Sequence, residues 1–571
     1  MKMANRRDFL KVSSVLLGGA GLVRPERVFS APVKPGGYFG VHPFVEQHPE
    51  AVFIMRTNVD YKTNSAACKD VGIRLGRSVF VPMNSPGIPV TYNIATKPNL
   101  TAHMAVDEER GFTLEDTMGI TTDGFFVEGM FESLKELGVA GNRLHTRDIN
   151  GGRVIEPRGY VAMGERTGAT VTTEKTRIQT EEDAKDESAF VWKDVPGGVM
   201  FSKIPFLWPF NASDSWNLNL AKFKAHTMGL TLTLKNWQGS DASPFQGYCQ
   251  KWQNIERIEK VGKAINMEVI NPKARDLIDQ NLKKHVTTIP RWDTPEIKRE
   301  EPGYIRLYGY DVLCMETWAH RTIDNLSVSP MGLCVVEGIY GRDGDFNTGP
   351  NPFGSDNNKG PWLNTPCKEG RAWDYMTNIV IFGKNPYLVD IIGHYLGGHE
   401  PGNFGIFHIA MERGKLDVMN PMNIPVFEWS EGVAVRRPLT SFTRTPLKTS
   451  YIQQKDEPLW HLCDQPFDYS RVSEKKPAVP ARPSSRVLNQ DYPTSYYPQL
   501  AIELGIPEKG RVFVEILDQN GNNLEVITNA ICDAGFHMAT WNTGKYDSGR
   551  YQYRLRFNDY NEVRDIVLKK A

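Results

Sequence analysis

Between Asn217 and Gly239 the chain runs Asn-Leu-Asn-Leu-Ala-Lys-Phe-Lys-Ala-His-Thr-Met-Gly-Leu-Thr-Leu-Thr-Leu-Lys-Asn-Trp-Gln-Gly. Apolar, strand-like residues carry Lys222, Lys224, His226, Lys235 and Asn236 among them. Burying an ionisable group costs free energy unless something pairs with it. A fold that takes up this segment must therefore supply partners, and a site for an anion or a metal is the expected result.

The flanking pattern sets the fold class. Ala51–Met55 and Ser78–Pro82 have strand composition. Asp123 is placed to cap a helix whose apolar positions Val127, Met130, Phe131, Leu134 and Leu137 recur at three- and four-residue steps, with Gly138 as its stop. Strands alternating with helices of this length predict an α/β main domain over residues 40–465 with a largely parallel or mixed sheet. Residues 243–300 are more polar, with helices expected over Gln253–Ile265 and Pro272–Lys284, and have the character of a helical insertion. Leu333–Val336 resumes the α/β pattern, and the Gly- and Asn-rich stretch from Gly338 to Gly360 suggests a long site-lining loop.

Three prolines between Ser473 and Ser485 mark a semi-rigid linker. Beyond it, over residues 486–571, short alternating runs are separated by turns such as Asp518-Gln-Asn-Gly521. This predicts a second domain, an all-β immunoglobulin-like sandwich.

At the other end, Asn5-Arg-Arg-Asp-Phe-Leu-Lys11 has the form of a twin-arginine motif. A modest apolar run, Val12–Val23, follows it, with a cleavage site expected near Ser30. Residues 1–30 are thus an expected export signal read by the twin-arginine translocation machinery, and the run is short of the about 20 residues of a membrane span. The mature protein is expected to be periplasmic or otherwise extracytoplasmic, with the cell surface as a further address and without a transmembrane segment. Because that route carries folded proteins, a cofactor loaded before export fits it.

Equal numbers of basic and acidic residues, 67 each, argue against nucleic acid as a partner. The seven cysteines form no Cys-x-x-Cys pair, so no iron–sulfur cluster is expected.

Several segments together resemble the family catalogued as domain of unknown function 362 (DUF 362). They are Thr96-Lys-Pro-Asn-Leu-Thr101, the helix beginning at Asp123, the Asn217–Gly239 segment, Val336–Asp345, and Ile381-Phe-Gly-Lys-Asn-Pro-Tyr-Leu-Val-Asp390. The third is the specific one, similar to a family pattern of Lys-x-Lys-x-His followed by Lys-Asn. Ala221 and Asn385 depart from it, where the family has Pro and Asp. The resemblance implies a fold and a site more than a reaction. The C-terminal residues Trp541-Asn-Thr-Gly544 and Ser548-Gly-Arg-Tyr-Gln-Tyr-Arg-Leu555 resemble FlgD-like immunoglobulin modules and the sorting domains of type IX secretion.

The expected chemistry follows from residue type. Lys97 and Asn99 at a strand end, with Lys222, Lys224 and Asn236, would offer ammonium and amide donors to a small anionic ligand such as a carboxylate or phosphate. The competing reading is that these lysines are solvated at strand edges. His226, Lys235 and Asp390 are the candidate catalytic groups, with His226 as general base or metal ligand. A divalent metal is the cofactor that Asp343, Asp345 and His394 would suit, Asp390 and His394 sharing one helix face if their segment is helical. The alternative to an enzyme is a non-catalytic periplasmic or surface binding protein with the sandwich as its attachment module.

Overall fold

The computed structural model describes residues 37–83, 86–101, 113–149, 154–226, 229–246, 254–283, 312–343, 374–447, 464, 466–475, 480–487 and 499–568. The export segment, Asp345 and part of the Pro-rich linker lie outside them.

A long mixed sheet organises the main domain. Its order is β16 (Val433–Arg436), β15 (Val426–Ser430), β2 (Val52–Arg56), β14 (Ile379–Gly383), β12 (Met331–Arg342), β10 (Ser215–His226), β5 (Asn93–Pro98), β6 (Leu144–Arg147) and β7 (Thr170–Thr172). From β12 to β7 all neighbours run parallel. Antiparallel pairs join β12 to β14, β14 to β2, and β15 to β16, while β15 and β2 are parallel. Two short strands lengthen the middle: β11 (Gly229–Thr231) folds back on β10, and β13 (Asp374–Tyr375) pairs with β12. The sheet is mixed, with a five-strand parallel half.

Side chains alternate along each strand, so the sheet has two cores. Phe53, Leu218, Leu220, Leu333 and Val335 face helices Ser65–Val79, Gly124–Glu136 and Tyr160–Thr167. Val52, Ala221, Phe223, Cys334 and Val336 face helices Thr233–Trp237, Val312–Ser327, Pro386–Leu396 and Gly405–Glu412. Asp123 caps its helix as expected, accepting from Phe125 N at 2.9 Å and Phe126 N at 3.1 Å. That helix lies against Ser65–Val79 so closely that a Cβ on Gly129 would sit 2.2 Å from the Lys69 carbonyl oxygen.

Ser78 and Val79, expected in a strand, close the helix Ser65–Val79; β3 (Phe80–Met83) starts only after them. Cys68, Val71, Leu75 and Val79 fall on the buried face of that helix, and packing overrides the β preference of its valines. With β1 (Tyr38–Val41) and β4 (Ile88–Pro89), β3 forms a small three-stranded sheet. The helices expected in the 243–300 region are present as Asn254–Ala264 and Pro272–Lys283. Their Ile255, Ile258 and Ala274 join the second core beside the hairpin β8 (Phe190–Asp194) and β9 (Lys203–Leu207), so they belong to that layer. Among the described residues no helix is long and apolar enough to cross a membrane.

The C-terminal region is all-β, in two antiparallel sheets around one core. β17 (Ser484–Val487), β18 (Gln499–Ile506) and β21 (Gly535–Asn542) form one sheet. The other has the order β20 (Asn523–Cys532), β19 (Gly510–Leu517), β22 (Gly549–Phe557) and β23 (Tyr560–Leu568). Ile502, Leu504, Val514, Trp541 and Leu555 fill the space they share. β17 begins inside the stretch expected to be linker, because Ser484 and Ser485 pair with Gly505 and Leu504. Strand β21 packs along β16, and His48 of the main domain bridges Glu50 at 2.8 Å and Glu503 of β18 at 2.6 Å.

Candidate functional site

The register of β10 against β12 decides what its lysines do. Leu218 lies opposite Leu333, Leu220 opposite Val335, and Lys222 opposite Glu337. At the third rung an apolar ladder thus becomes an ion pair, with Lys222 Nζ 2.6 Å from Glu337 Oε2 and both side chains fully buried. The ammonium also lies 3.3 Å from the centroid of the Tyr340 ring, a cation–π contact. Glu337 accepts further bonds from Asp123 N and Ile339 N, and the Tyr340 hydroxyl donates to Asp123 Oδ2 at 2.7 Å. Burial raises the pKa of Glu337, with the Lys222 charge opposing the rise. Lys222 is committed to this network and is not solvated.

Lys97 is buried on the opposite face, in register with Asn219. Its Nζ donates to Asp148 Oδ2 at 2.5 Å, to the Pro98 carbonyl at 2.7 Å and to Asn236 Oδ1 at 3.2 Å. Asn236 in turn donates to the Lys97 carbonyl at 2.8 Å and to Asn219 Oδ1 at 2.7 Å, tying β5, β10 and the helix Thr233–Trp237 together. Gly239 closes over this cluster, where a Cβ would come 2.6 Å from Lys97 Cε. Burial lowers the pKa of Lys97; Asp148 opposes that, and Lys235 adds to it. Asn99 is occupied locally, its side chain accepting from Thr101 N at 3.2 Å.

Lys224, His226 and Lys235 meet at the C-terminal end of β10. Lys224 is fully buried and donates to the carbonyls of Thr101, at 3.0 Å, and Ile120. His226 is buried too. Burial first, then the charges of Lys235 and Lys224, push its pKa well below the usual histidine range. Lys235 thereby acts on both His226 and Lys97, linking the clusters of the two faces. Burial and the two ammonium groups thus favour the neutral imidazole.

Asp390 and His394 do lie on one helix, Pro386–Leu396, but they have structural partners. Asp390 accepts from Thr233 N at 2.7 Å, Thr233 Oγ1 at 2.6 Å and Leu234 N at 3.0 Å. It anchors the start of the helix that carries Lys235 and Asn236, and so serves as a positioning residue. Burial raises its pKa to about 7, against the pull of those three donors. Asp390→Ala would strand two buried N–H groups; a loss of about 2–3 kcal/mol is expected in chemical denaturation, whereas Asp390→Asn retains an acceptor and loses less. His394 Nδ1 pairs with the Asp390 carbonyl at 2.7 Å, its Nε2 accepts from Leu230 N at 3.4 Å, and burial lowers its pKa to about 3. Asp343 accepts from the Tyr375 hydroxyl at 3.1 Å. Among the described residues no three His, Cys, Asp or Glu side chains converge as a metal site.

The sequence reading passed over Asp148, Asn219 and Tyr340, and gave Glu337 no role. An acid inside the apolar run Leu333–Tyr340 was the available sign of Glu337, since such a group must be paired. Asp148 has no comparable mark, as it follows the polar Leu144-His-Thr-Arg strand. Fold and site together define an α/β protein with a buried lysine–histidine cluster at the ends of parallel strands. No protein-family model and no curated protein matches the chain.

Proposed function

We propose that this chain is an exported protein that binds a small anionic ligand, a carboxylate or phosphate, beside Lys224, Lys235 and His226. The observation that carries this reading is His226, buried at the end of β10, where burial and then the Lys235 and Lys224 ammonium groups lower its pKa. Ligands of α/β proteins bind beyond the carboxyl ends of parallel strands, and β10 ends at His226. The resemblance of Asn217–Gly239 to the DUF 362 motif supports the same residues. With a ligand carboxylate beside the two lysines, His226 is suited to accept a proton from the adjacent carbon as general base, the lysines stabilising the negative charge that develops. The resemblance of Asn5–Lys11 to a twin-arginine motif supports export, with loading of the ligand or a cofactor before it. The C-terminal region is an immunoglobulin-like module; its packing along β16 favours support of the sheet edge over attachment.

An anion beside His226 raises the imidazole pKa, so binding takes up a proton between the free and bound pKa values. Affinity therefore falls as pH rises. Titration calorimetry with oxalate, repeated in buffers of different ionisation enthalpy, should show net proton uptake. Lys235→Met should weaken binding by about tenfold. Binding without proton uptake, or unchanged in Lys235→Met, would refute the proposal.

A further inference from the structure

A second ligand site is built where the helix Asn254–Ala264 faces the extended segment Arg177–Gln179. The helix buries Ile255 and Ile258 and leaves Arg257 and Lys260 exposed, three residues apart and hence neighbours on one surface. The facing segment is fixed by backbone bonds, Ser243 N donating to the Thr176 carbonyl at 2.7 Å and Ile178 N to the Ser243 carbonyl at 2.9 Å. Between them lies a cavity of about 280 Å³. Among the described residues its lining holds three cations, Arg177, Arg257 and Lys260, and no acid, while Ile178, Pro244 and Val261 supply apolar wall. The acid beside Lys260 in sequence, Glu259, is held by Arg275 at 2.6 Å.

We propose that this cleft binds a small dianion attached to an apolar group, a phosphate monoester of an aryl or short alkyl alcohol. Two guanidinium groups match phosphate oxygens by paired hydrogen bonds, and Lys260 adds a point charge. The apolar wall takes the organic part. The volume lies near the lower end of small-molecule pockets, about 300 Å³, which selects a compact ligand over a peptide. The cleft shares no residue with the His226 cluster, so it stands independently of the function proposed above.

The test is calorimetry with phenyl phosphate and inorganic phosphate at low ionic strength, on the full chain and two variants. Arg257→Gln/Lys260→Gln replaces exposed residues only, so the fold should be kept. Phenyl phosphate should bind more tightly than inorganic phosphate, weaken by about tenfold or more in the double variant, weaken as salt is added, and keep its affinity in Lys235→Met. Equal affinity for the two phosphates in Lys235→Met, where binding at the His226 cluster is weakened, would overturn the proposal. So would binding that survives the double variant, or binding lost in Lys235→Met instead.

Discussion

Lys222→Met is expected to destabilise the protein by about 3–5 kcal/mol, a loss typical of breaking a fully buried ion pair. The variant leaves Glu337 in the sheet without its cation, and Asp123 N and Ile339 N offset only part of the loss. Protonation of Glu337, whose pKa is already raised, would limit the cost at acid pH. Replacing both partners, Lys222→Met with Glu337→Met, removes the desolvation penalty along with the attraction and should recover most of the stability. Denaturant titration of the wild type and both variants decides it. A single variant within about 1 kcal/mol of wild type would show that the pair matters little.

Asp148→Ala is expected to cost a similar amount, about 3–5 kcal/mol, from the other face of the sheet. Lys97 would keep the Pro98 carbonyl and Asn236 Oδ1 as partners but lose the Asp148 carboxylate. The sign of the pH dependence follows from burial. Burial already lowers the pKa of Lys97, and removing Asp148 lowers it further, so the folded variant releases a proton that the unfolded chain retains. The unfolded state then binds more protons, and stability rises with pH toward the ordinary lysine pKa of 10.5. The stability gap between variant and wild type should therefore narrow from pH 7 to pH 9. A gap that widened over that range would contradict a buried, charge-paired Lys97.

What the sequence disclosed and what it hid have physical causes. The alternation of strands and helices, the cap at Asp123 and the burden of charge on Asn217–Gly239 were all legible, because each depends on local pattern. The helix Ser65–Val79 was not, since glycines and β-branched residues disguise a face that only tertiary packing reveals. The candidate site was read as a single cleft. In the fold Lys222 belongs to one face of the sheet and Lys97 with Asn236 to the other, because register and side-chain alternation separate residues that are close in sequence. Asp390 was legible as a candidate catalytic acid on a helix, but its role depends on meeting Thr233 and Leu234, more than 150 residues away in the chain. The solvated-lysine alternative fails because Lys97, Lys222 and Lys224 are all buried.

The central claim, an anion site whose field suppresses protonation of His226, is tested most directly by nuclear magnetic resonance of histidine-labelled protein. His226→Gln identifies the resonance, and the ring is titrated with and without oxalate. The account predicts a neutral His226 near pH 7 in the free protein and a pKa raised toward neutrality by oxalate. A His226 already protonated at pH 7, or one whose titration oxalate leaves unchanged, would contradict it.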